Sequence, residues 1–426
     1  MAQICPVRPS PVGGRRLCSR CPGARAIVVG LIALAACAGD AGPLAAAPQF
    51  PGLGRGGRHA QAKGPARPAR PSSATPPTIF PMQRIWSADL DHDFAAPPGF
   101  DGLQAYVPET DGHLVAYILV NGKPRWSIDL ATRTTPAAGD HLVYVATAGA
   151  VVAVSADDGH EVWRVPLNGT LTVPLTWDAG WLIAGTSEGE LWAWRAQDGQ
   201  PVWHVSVGAA LSAPATLGGD RLYVPLVDGR LLALNLQTGS RLWTDKLGGA
   251  PTEVLPLDSR LFVGSTDNYF YALKTENGEQ DWRWRTGADI VGAAVVDRRR
   301  VYFVSMDNLL RALDRDSGRL QWQQPLPMRP ASGPQLAGSL AIVTGVYPSV
   351  VPAFNVADGK PAGTLQLTGE LVGPPHVTPW GFTLGPSLIV ATRTLGQPAQ
   401  LQALARALEP PLAPFTALPG TTLTGY

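Results

Sequence analysis

The sequence predicts an all-β protein: an eight-bladed β-propeller with four-stranded antiparallel blades, its ring closed by the N-terminal strand completing the last blade. Three observations carry this reading. A glycine recurs at Gly122, Gly159, Gly199, Gly239, Gly278, Gly318 and Gly359, at intervals of 37, 40, 40, 39, 40 and 41 residues. A fixed period near 40 marks a repeat architecture. Around each glycine the register is fixed: Ala116, Ala153, Ala193, Ala233, Ala272, Ala312 and Ala353 stand six residues before it. Trp126, Trp163, Trp203, Trp243, Trp282 and Trp322 stand four residues after it, with Gly363 in the seventh place. Finally, Trp86 lies 40 residues before Trp126, and Arg84 to Leu90 copies Arg125 to Leu130.

Within each unit the elements follow from turn chemistry. Ten residues before each repeat glycine comes Gly112, Gly149, Gly189, Gly229, Asn268, Asn308 or Ser349. Asp-Gly, Glu-Gly and Asp-Asn at these points suit tight hairpins that need positive φ. Short alternating runs such as 221–226 and 231–236 lie between the turns, and a strand of small residues such as 209–215 precedes them. Four antiparallel strands per 40 residues make a propeller blade. Trp86 then marks an orphan fourth strand. At the other end, 388–393 and 401–404 read as second and third strands, with Ala403 in the alanine position. Seven full units and this composite give eight blades without open edges. The seven tryptophans on the register, Trp86 included, are assigned a structural docking role. The alanine is expected to leave room for the ring of a neighbouring blade.

The N-terminal part reads as an address and a tether. Arg8, Arg15, Arg16, Arg20 and Arg25 precede an apolar run over 26–36, which is signal-peptide length and too short to span a bilayer. The run ends in Leu34-Ala35-Ala36-Cys37, which resembles the lipobox of bacterial lipoproteins. That resemblance implies cleavage before Cys37, lipidation of its thiol and, with Ala38 following, sorting to the outer membrane. An ordinary secretory signal is the alternative. From residue 38 to 81 the chain is rich in Ala, Pro, Gly and Arg without apolar periodicity, as in a disordered tether. As a coil it would span on the order of 35–40 Å. The propeller is assigned to 82–408 and a tail to 409–426.

Composition excludes several classes. Residues 1–70 hold ten Lys or Arg against Asp40 alone, leaving 24 basic and 32 acidic residues in the remainder. A net negative propeller argues against nucleic acid as a partner. The four cysteines are Cys5, Cys18, Cys21 and Cys37, so no disulfide is available to the propeller. Cys18 and Cys21 form a lone Cys-x-x-Cys without the second pair that a metal site needs.

The Ala-x(5)-Gly-x(3)-Trp pattern, with Asp158-Gly159, Asp198-Gly199 and Thr238-Gly239 at its centre, resembles the tryptophan-docking motif of the pyrroloquinoline-quinone-type propeller repeat. Combined with the lipobox and tether, the chain resembles the BamB family of outer-membrane assembly lipoproteins. That resemblance implies a scaffold in the bacterial envelope, facing the periplasm and binding protein partners of a β-barrel assembly complex. The near-constant repeat length departs from that family, where longer inter-blade loops carry partner contacts, so no contact residue is transferred.

Catalytic chemistry is sparse. Gly185-Thr186-Ser187-Glu188-Gly189 fits a hydrolase elbow, yet Ser187 falls on a hairpin of the repeat rather than a strand-to-helix turn. Asp314, Asp316 and Gly318 start like a calcium loop that lacks its closing Glu. Asp89, Asp91, His92 and Asp93 form the densest cluster of metal-capable groups, read as a polar loop. By resemblance, a quinone dehydrogenase would need a vicinal cysteine pair and channel carboxylates. The propeller has no cysteine, and its presumed inner strands are small and nearly uncharged. The expectation is therefore no cofactor, no metal and no catalysis. The alternatives are a quinone-dependent or other small-molecule enzyme using the central channel, and an envelope binder of sugar or peptidoglycan.

Overall fold

The computed structural model describes residues 80–345, 349–383 and 385–407. Cys37, the signal segment, nearly all of the tether and the 409–426 tail lie outside them. The described residues fall in the unit Ser73–Tyr426.

Eight antiparallel sheets follow one another along this part of the chain. Blade 1 runs Gly99–Phe100, Gln104–Pro108, His113–Ile118 and Pro124–Asp129, each strand pairing with the next. Blades 2 to 7 repeat that order over 137–166, 176–206, 216–246, 251–285, 290–325 and 335–366. The hairpin residues adopt the left-handed conformation that the turns demand, with φ of 91° at Gly229, 67° at Asn268 and 59° at Asn308.

Blade 8 differs. Its middle strand is Gly385–Arg393, which pairs with both His376–Thr383 and Gln400–Arg406. Its outermost strand is Met82–Asp89, from the start of the propeller, paired antiparallel with Gln400–Arg406 so that Trp86 faces Ala403. The ring is thus closed by hydrogen bonds between strands more than 300 residues apart in sequence.

Each blade carries hydrophobic residues on both faces of its middle strands, so the core is divided among the junctions. Among the described residues eight buried clusters occur, one per pair of neighbouring blades. For example, Tyr223, Leu231 and Ala233 of blade 4 meet Leu261, Val263 and Tyr271 of blade 5. Ile389, Leu401 and Ala403 of blade 8 meet Ala105 and Val107 of blade 1 and Phe94, which precedes it.

Candidate functional site

The repeat residues assemble into one inter-blade joint, seen most simply at Trp163. Its ring lies over Gly199 of the next blade, where an added Cβ would stand 2.8 Å from indole carbons. Its Nε1–H donates to the carbonyl of Ala196, three residues before that glycine, at 3.0 Å. Trp86, Trp126, Trp203, Trp243 and Trp322 make the same donation to Leu119, Ala156, Leu236, Thr275 and Val356. Trp282 covers Gly318 likewise, but its buried Nε1 has no acceptor.

The sequence reading gave the space-making part to the alanine. The structure gives it to the glycine, because the alanine is the tryptophan's cross-strand neighbour in its own blade, as with Ala233 and Trp243. Blade 7 lacks a tryptophan, and there the Phe80 ring approaches Gly363 instead.

A cavity of about 1010 Å³ opens where the segments entering blades 1 to 3 meet the hairpins of blades 1 and 2. Its lining is mostly Ala, Thr and Gly, with Glu109 and Arg133 as the charged members. A second carboxylate belongs to an inner strand: Glu253, in Pro251–Leu257 of blade 5. Although its side chain reaches solvent, desolvation by the surrounding protein pushes its carboxyl up, against the opposing effect of a hydrogen bond from the Ala293 amide. Arg133 lies in the segment entering blade 2, and Glu253 adds a charge to the inner strands, which were expected to be small and nearly uncharged.

The acidic run after the closing strand is dispersed. Asp89 accepts from Gln400 Nε2 at 2.7 Å, and Asp93 pairs with Arg393 at 3.3 Å. His92 turns instead to the blade 1 hairpin, where its Nδ1 lies 3.0 Å from Asp111 Oδ2 and 3.6 Å from Glu109 Oε2. His113 Nδ1 meets the same Asp111 oxygen at 2.7 Å, and its Nε2 faces Asp129 Oδ1 at 3.0 Å. Glu109 is buried, its side chain 4% exposed, and that burial together with the Asp111 charge holds its carboxyl above the usual range. Desolvation works against Asp111 ionising, yet hydrogen bonds from His113 hold its carboxyl below the usual range. The same side-chain hydrogen bond raises the His113 imidazole.

Sequence reasoning placed His92 with its chain neighbours and missed Glu109, Asp111 and His113. The available signal was comparison between repeat copies. Ser187 sits in the second hairpin of blade 3, hydrogen bonded to Glu188. Asp314 closes a turn by accepting from Ser317.

A family model described as outer membrane protein assembly factor BamB matches residues 83–153, 147–257 and 248–375. Among solved structures, BamB from Moraxella catarrhalis is similar at 18% identity and a TM-score of 0.61, covering 76% of this chain and 97% of that one. The quinohemoprotein alcohol dehydrogenase ADHIIG from Pseudomonas putida HK5 aligns at 13% identity and a TM-score of 0.60, covering 78% of each chain. Sqt1 of Saccharomyces cerevisiae aligns at 11% identity and a TM-score of 0.63, covering 75% of this chain and 98% of that one. Likeness at such identities is a likeness of fold. No curated protein sequence matches the chain.

Proposed function

Because the chain belongs to the family of outer membrane protein assembly factor BamB, we propose that it is a non-catalytic scaffold binding protein partners in β-barrel assembly at the bacterial outer membrane. The observation that carries this reading is the family match over 83–375, which takes in seven of the eight blades. The lipobox ending at Cys37 supports a lipid anchor, with the propeller held in the periplasm by the tether. A rigid closed ring of interlocked blades suits a scaffold, since its outward loops keep their spacing when a partner docks.

Crosslinking in intact envelopes followed by purification of the lipidated protein tests the proposal. A barrel-assembly subunit should be recovered, and Cys37→Ser should release the protein from the membrane fraction. Recovery of the lipidated protein without such a subunit would overturn the assembly role.

The 1010 Å³ cavity favours a second reading, a small-molecule enzyme using the propeller face, as the fold also serves a quinohemoprotein dehydrogenase. Pyrroloquinoline quinone with calcium raising the melting temperature would favour that reading over the scaffold.

A further inference from the structure

The repeat supplies an internal control for each position of the blade 1 hairpin. Aligned on the turn residue Gly112, the position of Glu109 is held elsewhere by Ala146, Thr186, Leu226, Ser265 and Ser305. The position of His113 is held by Ala150, Glu190, Arg230, Tyr269 and Leu309. Aligned on the docking tryptophan, the position of His92 is held by Thr132, Gly169, Ala209, Gly249, Ala288 and Met328. Only the Asp111 position is commonly acidic, with Glu188, Asp228, Asp267 and Asp307 as its counterparts. In other copies that acid serves its own blade: Asp228 binds Arg230 at 2.7 Å and Asp307 binds Arg311 at 2.6 Å. Blade 1 has therefore replaced three ordinary repeat positions with a carboxylate and two imidazoles, and all three converge on the shared acid.

The convergence has the form of a ligand set. One atom each from His92, Glu109 and Asp111 lie within 4.8 Å of one another. The His92 and His113 Nδ1 atoms both point at Asp111 Oδ2, at 3.0 and 2.7 Å. Glu109 is the buried member, and its Oε2 faces His92 Nδ1 at 3.6 Å, beyond hydrogen-bonding distance.

Outer partners are in place as well. Asp129 Oδ1 stands 3.0 Å from His113 Nε2, and Tyr117 donates to Glu109 Oε1 at 3.4 Å. A carboxylate on the far nitrogen of a ligating imidazole fixes its tautomer and raises its basicity, the arrangement that orients histidine ligands in metal sites.

We propose that His92, Glu109, Asp111 and His113 form a binding site for a divalent first-row transition cation, with Zn²⁺ as the best fit. Two imidazoles and two carboxylates suit zinc, whereas calcium and magnesium take oxygen ligands. The histidines are partly exposed, their side chains 49% and 39% accessible, so an ion can enter from solvent. Bound there, the ion would join the segment after the closing strand to the second hairpin of blade 1. The proposal does not depend on the assembly role.

The test uses the purified full chain stripped with chelator, titrated calorimetrically with Zn²⁺ and spectroscopically with Co²⁺. One ion should bind per chain, and Co²⁺ should give the visible ligand-field bands of a low-coordinate nitrogen and oxygen site. The His92→Ala/His113→Ala double variant should abolish binding. Asp129→Asn, a change at an exposed carboxylate that leaves packing alone, should weaken it about 10–100-fold. His204→Ala, which removes an imidazole paired with Glu190 on blade 3, should leave it unchanged. Absence of stoichiometric binding would overturn the proposal. So would binding that survives the double histidine variant but is lost with Cys18→Ser/Cys21→Ser.

Discussion

Replacing Trp163 and Trp282 separately by Phe should destabilise the protein unequally, although the two residues occupy the same repeat position. Each substitution keeps an aromatic ring over the next blade's glycine and removes the indole Nε1–H. At Trp163 that donor is bonded to Ala196, whose fully buried carbonyl would lose the bond. A net hydrogen bond contributes about 0.5–1.5 kcal/mol, and a buried polar group left without a partner costs about 1–3 kcal/mol. At Trp282 the donor already lacks an acceptor, so Phe removes a buried unsatisfied group. Ring shrinkage is common to both variants and cancels in the comparison. The remaining gap is about 2 kcal/mol, roughly thirtyfold in the folding constant, with Trp163→Phe the less stable. Urea unfolding followed by circular dichroism measures it from the two midpoints at a common slope. Equal midpoints would refute the hydrogen-bonded joint. Trp163→Ala, losing the ring as well, should cost about 3–5 kcal/mol.

Three further outcomes follow from the geometry. Gly199→Ala should lower the melting temperature more than Gly180→Ala: both positions have positive φ, 70° and 80°, but only Gly199 is covered by a tryptophan ring. Deleting Met82–Asp89 should expose the Gln400–Arg406 edge, giving faster limited proteolysis within blade 8 and aggregation on size exclusion. His376 stacks on Phe100 at 4.4 Å between blades 8 and 1, and burial pushes its imidazole below the ordinary value of 6.5. The unfolded chain therefore binds the proton more readily, so stability is full above about pH 6.5 and falls as pH drops toward the folded value. His376→Phe should flatten that slope in melting curves recorded across pH 5–7.

The propeller was legible because its determinants are local and repeated. A turn glycine, an alanine and a tryptophan at fixed spacing state the strand order of every blade, and the stray copy around Trp86 states how the ring closes. Side-chain convergence was less legible. His92 lies beside Asp91 and Asp93 in the chain, but its partners are Glu109 and Asp111 on a hairpin some 17 residues on. Nothing in the spacing alone joins them, whereas comparing blade 1 with its sister blades exposes the anomaly. Phe80 was invisible for a related reason: it precedes the first strand, has no repeat counterpart, and takes its place only when Gly363 is brought beside it. Glu253 was not legible because nothing local marks its segment as the first strand of its blade.

The closing strand also determines how the ring bears a pull. Met82–Asp89 is the outermost strand of blade 8 and the point where the chain from the amino-terminal side joins the propeller. Any tension carried along that chain is delivered to this strand before any other. Blades 1 to 7 are each built from one continuous stretch of backbone, whereas the seam is held by one antiparallel ladder, the Trp86 ring, the Phe80 contact and the packing of Met82, Ile85 and Ala88 against the neighbouring clusters. Under load the seam is the first joint to bear the force, and loss of this one strand would open the ring at blade 8 while the strand order of blades 1 to 7 stays intact.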